Sequence, residues 1–132
     1  MNAKRQMLQV FERCLTEEFE FLTSNLGFLG PERQPGVAVY YSPGLSIEVA
    51  MDPRDGVLTL LVGQVGEHTY RAELSCLYVA AGLGPAQDVH RTARTTHTLS
   101  KSLASQSCAL SALLPHLTEP RREKLLRTCH GR

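Results

Sequence analysis

GLSIEVAMDPRDGVLTLLVG, residues 44–63, is the stretch that decides how this chain folds. Leu45, Ile47, Val49 and Met51 recur at every second position, the period that puts alternate side chains on one face of a strand. Asp52-Pro53-Arg54-Asp55-Gly56 then reads as a tight turn, because Pro53 presets its backbone angle and Asp55-Gly56 accepts positive φ. VLTLLVG, residues 57–63, returns antiparallel. Its apolar residues fall on both faces, which predicts a central strand covered on each side, or one lying under helices.

The same period extends outward from this hairpin. Val37, Val39 and Tyr41 share one face of a preceding strand, and Ser42-Pro43-Gly44 turns between the two. Gly63-Gln64-Val65-Gly66 leads into a further strand over residues 68–72, so the sum is an antiparallel meander of three to four strands. GFLGPERQPG, residues 27–36, holds three glycines and two prolines and is expected to be an exposed connector.

Helical periodicity brackets the strands. Met7, Phe11, Leu15 and Leu22, with Val10 and Cys14 beside them, mark an amphipathic helix over residues 3–24, ended by Asn25 and Gly27. Three more helical segments follow: residues 73–81, closed by Gly82; residues 94–114, with Leu99, Leu103, Leu110 and Leu114 on one side; and residues 119–129, opened by Thr118 and Pro120. LGPAQDVHRT, residues 83–92, reads as a loop. The expected architecture is one α+β domain over residues 1–132, its sheet packed by the N-terminal helix and the C-terminal helices.

Composition agrees with a globular chain. A length of 132 residues, 42% hydrophobic and 20% charged, is enough to bury a core without metal or disulfide support. No apolar run approaches the roughly 18–20 residues of a membrane span, and the start runs into a charged helix instead of an apolar signal core. A cytoplasmic protein is therefore expected, with Cys14, Cys76, Cys108 and Cys129 as reduced thiols. Arginine supplies eleven of the fourteen basic residues, a bias associated with GC-rich bacterial genomes. Net charge is only +1, but it divides into −3 over residues 1–66 and +4 over residues 67–132.

Chemistry is marked mainly by what is missing. The chain has no G-x-x-x-x-G-K-[ST] phosphate loop, no G-x-G-x-x-G, no G-x-S-x-G elbow and no H-E-x-x-H helix. His90, His97, His116 and the Cys129-His130 dipeptide lack the paired two-to-four-residue spacing of structural zinc sites, so no metal is expected. Cys76 sits in ELSCLYVAAG, where apolar neighbours raise a thiol's pKa and hide it, so a core role is expected. Asp52 and Asp55 flank a turn that favours aspartate for backbone reasons. HRTARTTHTLSK, residues 90–101, and RREKLLR, residues 121–127, are basic, but Glu119 and Glu123 interrupt the second and the chain has no Trp for base stacking. Nucleic acid is not the expected partner. No catalytic, cofactor-binding or metal-ligating residue is assigned, no cofactor is expected, and the chain is read as non-enzymatic.

One resemblance attaches to the order of features. Gly27-Phe28 after a helix, then Val39-Tyr40-Tyr41-Ser42, then Val49-Ala50-Met51-Asp52 with Arg54 and Gly56, is similar to small, uncharacterised bacterial α+β proteins, among them immunity-protein-like members of polymorphic toxin systems. The resemblance covers about residues 19–115 and implies a stoichiometric binder of a partner protein, of immunity or adaptor type. Glu17, Glu18, Glu20, Glu32, Glu48, Asp52 and Asp55 would then form an acidic surface suited to a basic target. The alternative is a small secretion- or assembly-chaperone-like homodimer, which an exposed apolar strip would support.

Overall fold

The computed structural model describes residues 3–52, 54–118 and 120–131. Five antiparallel strands run in simple sequence order, β1 (Leu29–Gln34), β2 (Val37–Ser42), β3 (Leu45–Asp52), β4 (Gly56–Val65) and β5 (His68–Glu73). The meander is therefore one or two strands wider than expected. Helices α1 (Ala3–Glu18) and α2 (Glu20–Ser24) precede it; α3 (Leu74–Ala80), α4 (Thr96–Leu113) and α5 (Arg121–Cys129) follow. The α+β class and the helical flanks match the sequence reading, except that the single helix expected over residues 3–24 breaks at Phe19 into α1 and α2. The turn role assigned to Pro53 and the helix start at Glu119 lie outside the described residues.

The expected connector over residues 27–36 contains the extra strand. Arg33 and Gln34 continue straight into the β1–β2 hairpin, pairing with Ala38 and Val37, and the register is irregular between Leu29 and Glu32. The segment is exposed, as its composition implies, yet it is hydrogen-bonded. An edge strand can carry Pro31, since only one side of it pairs.

Helices lie on one side of the sheet. Ala38 and Tyr40 of β2, Ile47 and Val49 of β3, Val57, Thr59 and Leu61 of β4 and Ala72 of β5 are buried beneath them. Val37, Val39 and Tyr41 of β2 share a face as expected, and it is the face away from the helices. Tyr40 decides the matter, because its ring stacks on Phe19 at 6.5 Å, and Phe19 sits at the break between α1 and α2. Opposite Tyr70 in the sheet, Gly63 leaves room for Leu126 of α5; a Cβ there would lie 2.5 Å from the leucine Cδ1.

Burial pushes the Tyr40 hydroxyl up to about 12, against a small opposing pull from Arg33. The folded state then holds the neutral phenol while the unfolded chain ionises near pH 10, so stability is full below pH 10 and falls as the pH rises toward 12. Alkaline urea titrations should show a loss of roughly 2–3 kcal/mol across that window, and Tyr40→Phe should remove this component. Equal alkaline slopes in both proteins would refute the assignment.

Polar side chains of α4 fix the loop that precedes it. Gln106, buried, donates from Nε2 to the carbonyls of Val57 at 2.7 Å and His90 at 2.8 Å, and its Oε1 accepts from the Thr59 hydroxyl at 2.6 Å. Ser102 donates to the Thr92 carbonyl at 2.6 Å, and Ser105 donates to that of Asp88 while accepting from the His90 N–H. Residues 88–92 are thereby laid along the start of β4, where the Val57 N–H donates to the Arg91 carbonyl at 2.7 Å. Every buried polar group in this set has a partner, as burial requires.

The cysteine expectation is corrected for two of the four. Cys76 of α3 and Cys129 at the end of α5 form a disulfide, with Cα atoms 5.8 Å apart. Cys14, half-buried, and Cys108, exposed, are free thiols. Beyond Cys129 the chain turns back onto the sheet: His130 bridges to Ala72, its Nδ1 accepts from the Arg71 N–H at 3.0 Å, and the Gly131 N–H donates to the Arg71 carbonyl at 2.8 Å.

Candidate functional site: the open face of the sheet

The second face of the sheet carries no helix among the described residues, so of the two readings of VLTLLVG, covered on each side or lying under helices, β4 fits the second. The meander register arranges it in cross-strand rows. The central row is Glu32, Val39, Glu48, Leu60 and Glu73, one residue from each strand. On one side runs Leu29, Tyr41, Ser46, Val62 and Arg71; on the other, Gln34, Val37, Ala50 and Leu58. Valine, leucine and tyrosine fill half of these positions, mostly from β2 and β4, because VAVYYS and GVLTLLVGQV are apolar at both parities. Leu29 is 73% exposed and Tyr41 40% exposed, while Leu58, Leu60, Val62 and Val39 are half-buried by their strand neighbours.

Charge on this face is mostly acidic. Glu73 is engaged, accepting from Arg91 Nη1 at 3.3 Å and from the Ser75 hydroxyl at 2.9 Å. Glu48, half-buried on the central strand between Val39 and Leu60, has no hydrogen-bond or ion-pair partner among the described residues, and neither does the exposed Glu32. Asp52 ends the same face of β3. Its Oδ1 accepts from the N–H groups of Arg54 at 2.7 Å and Asp55 at 3.2 Å, and these bonds hold the carboxyl below the usual range. The turn role expected of Asp52 is therefore visible in the geometry.

The seven acidic residues proposed as one surface are divided. Glu32, Glu48 and Asp52 lie on the open face, whereas Glu17, Glu18 and Glu20 lie at the α1–α2 junction in the helical layer. Asp55 belongs to the hairpin turn. The basic segment over residues 121–127 is largely occupied in holding the fold: Arg121 binds His116 and the Ala81 carbonyl, Arg122 the Gly44 carbonyl, and Arg127 pairs with Glu123. Among the described residues, no three His, Cys, Asp or Glu side chains gather as metal ligands.

A separate cleft of about 660 Å³ opens between the start of α1 and the hairpin ends, lined by Met7, Leu8, Pro35, Met51 and Ala93 with Lys4 and Arg94 at its rim. Its walls are apolar, and Tyr40, Asp52, Tyr78 and Arg127, whose protonation equilibria are displaced, do not line it.

No protein-family model, no curated protein and no solved structure matches this chain. No helix among the described residues is long and apolar enough to cross a membrane.

Proposed function

We propose that this chain is a non-enzymatic protein-binding module, of immunity or adaptor type, that takes its partner on the open face of the sheet. The supporting observation is the row structure of that face: apolar side chains from β1 to β4, left without a covering helix among the described residues, around an unpaired carboxylate. Exposed apolar side chains gathered on one face are a usual mark of an interaction surface, and here they surround a central carboxylate. The resemblance to immunity-like proteins points the same way. A chaperone-like homodimer would also use an apolar sheet face, but Glu48 at the centre weighs against a two-fold pairing there, since isologous contact brings a central residue near its own copy. A cytoplasmic location and the Cys76–Cys129 bond pull in opposite directions, because cytosolic reductants keep thiols reduced.

Leu60→Arg, a charge placed in the central row, tests the reading. Tagged wild-type protein should retain one lysate protein at 1:1 stoichiometry, recovered as a heterocomplex by size exclusion with light scattering. The variant, checked for an unchanged melting curve, should lose it. Failure of wild type to retain any stoichiometric partner, or equal retention by both, would sink the proposal.

A further inference from the structure

We infer that the partner covering the open face presents a basic amphipathic helix, with two Lys or Arg side chains seven residues apart set against Glu48 and Glu32. This inference rests on the binding-module reading and adds the chemistry of the partner. Glu48 occupies the middle of the middle strand, with Val39 and Leu60 on its flanks and Ser46 and Ala50 along β3. Any partner that seals this face takes Glu48 out of water. An apolar cover would leave an uncompensated buried charge, which is strongly unfavourable, so the cover must bring a cation. A second copy of this chain would bring another Glu48, and an anionic lipid surface would add like charge.

Geometry narrows the form of the cation carrier. Glu32 lies in the same row two strands away, which at a strand spacing of about 4.8 Å is roughly 10 Å. Residues seven apart on an α-helix rise about 10.5 Å and share one face. The rows on either side of the central one are about 7 Å distant, within reach of a helix about 10 Å wide lying along the row. Such a helix would touch Val37, Ala50 and Leu58 on one flank and Tyr41 and Val62 on the other. Glu73 needs no third cation, since Arg91 already neutralises it.

A random-peptide display library selected on the wild-type chain tests this, each enriched peptide being measured by fluorescence anisotropy against wild type, Glu48→Gln and Leu60→Arg. Enriched peptides should be helical, carry a Lys or Arg pair at seven-residue spacing among leucine-like residues, and bind Glu48→Gln at least about tenfold more weakly, because the peptide's cation is left unpaired. Leu60→Arg should abolish binding, and Glu48→Gln should melt as wild type does. Peptides that lose binding on Leu60→Arg, lack the basic pair and ignore Glu48→Gln would overturn the inference and leave the binding face standing. Selection of no peptide sensitive to Leu60→Arg would overturn both. A concentration-dependent homodimer in light scattering, dissolved by Leu60→Arg, would overturn it by naming a second copy as occupant.

Discussion

Gly56→Ala should cost this fold roughly 3–5 kcal/mol, a large share of the stability of a domain of this size. Gly56 opens β4 at φ +82°, and the Arg91 carbonyl presses on it so closely that a Cβ would overlap the oxygen. The left-handed conformation alone costs an alanine about 1–2 kcal/mol. Relieving the overlap must move residues 88–92, which breaks the Val57–Arg91 hydrogen bond and loosens the carbonyls held by Gln106 and Ser102. Each buried group left unsatisfied adds about 1–3 kcal/mol. The melting temperature should fall by about 10 °C or more, read by circular dichroism alongside urea unfolding. A variant that melts within about 2 °C of wild type would show that the loop does not press on the strand as described.

Reduction of Cys76–Cys129 should have an effect of similar size. The bond spans a sequence separation of 53 residues, and closing a loop of that length in the unfolded chain is worth about 4 kcal/mol in the chain-entropy account. Unfolding with and without dithiothreitol, and the Cys76→Ser/Cys129→Ser double variant, should agree on that loss. Thiol titration of the denatured, unreduced protein should find two free groups, Cys14 and Cys108, and four after reduction. Four thiols before reduction would remove the bond, and with it the expected loss.

The sequence was most readable where a strand has one polar face. LSIEVAMD alternates cleanly, and of the four residues the pattern names Leu45, Ile47 and Val49 are buried and Met51 half-buried. VAVYYS has apolar groups at both parities, so periodicity located β2 without saying which face meets the helices; the Phe19–Tyr40 stack makes that choice. LGPERQ carries glycine, proline and three charged or amide side chains in six residues, so β1 has no hydrophobic period at all and forms through its pairing with β2. Thr59 points inward against its polarity because Gln106 from α4, 47 residues away, meets its hydroxyl. The disulfide is likewise a long-range fact, fixed by where α3 and α5 dock.

The open face was legible in part. Apolar residues at both parities of VLTLLVG were consistent with a strand covered on each side or with one lying under helices. The helices among the described residues cover one side, and the outer side of β4 is open. What periodicity could not supply was the lateral register that places Glu32 and Glu48 in one row, because register is a property of paired strands.

The margins of the sheet are finished in a way that bears on how molecules of this chain meet one another. At β5, the His130–Gly131 tail occupies the backbone groups of Arg71 that would otherwise await another strand. At β1, Pro31 lacks an N–H and the irregular register with Glu32 and Arg33 breaks the template. These are two of the devices by which sheets discourage edge-to-edge pairing. The cost of leaving one face of the sheet open is thus not compounded by a long, unbroken template along its rims.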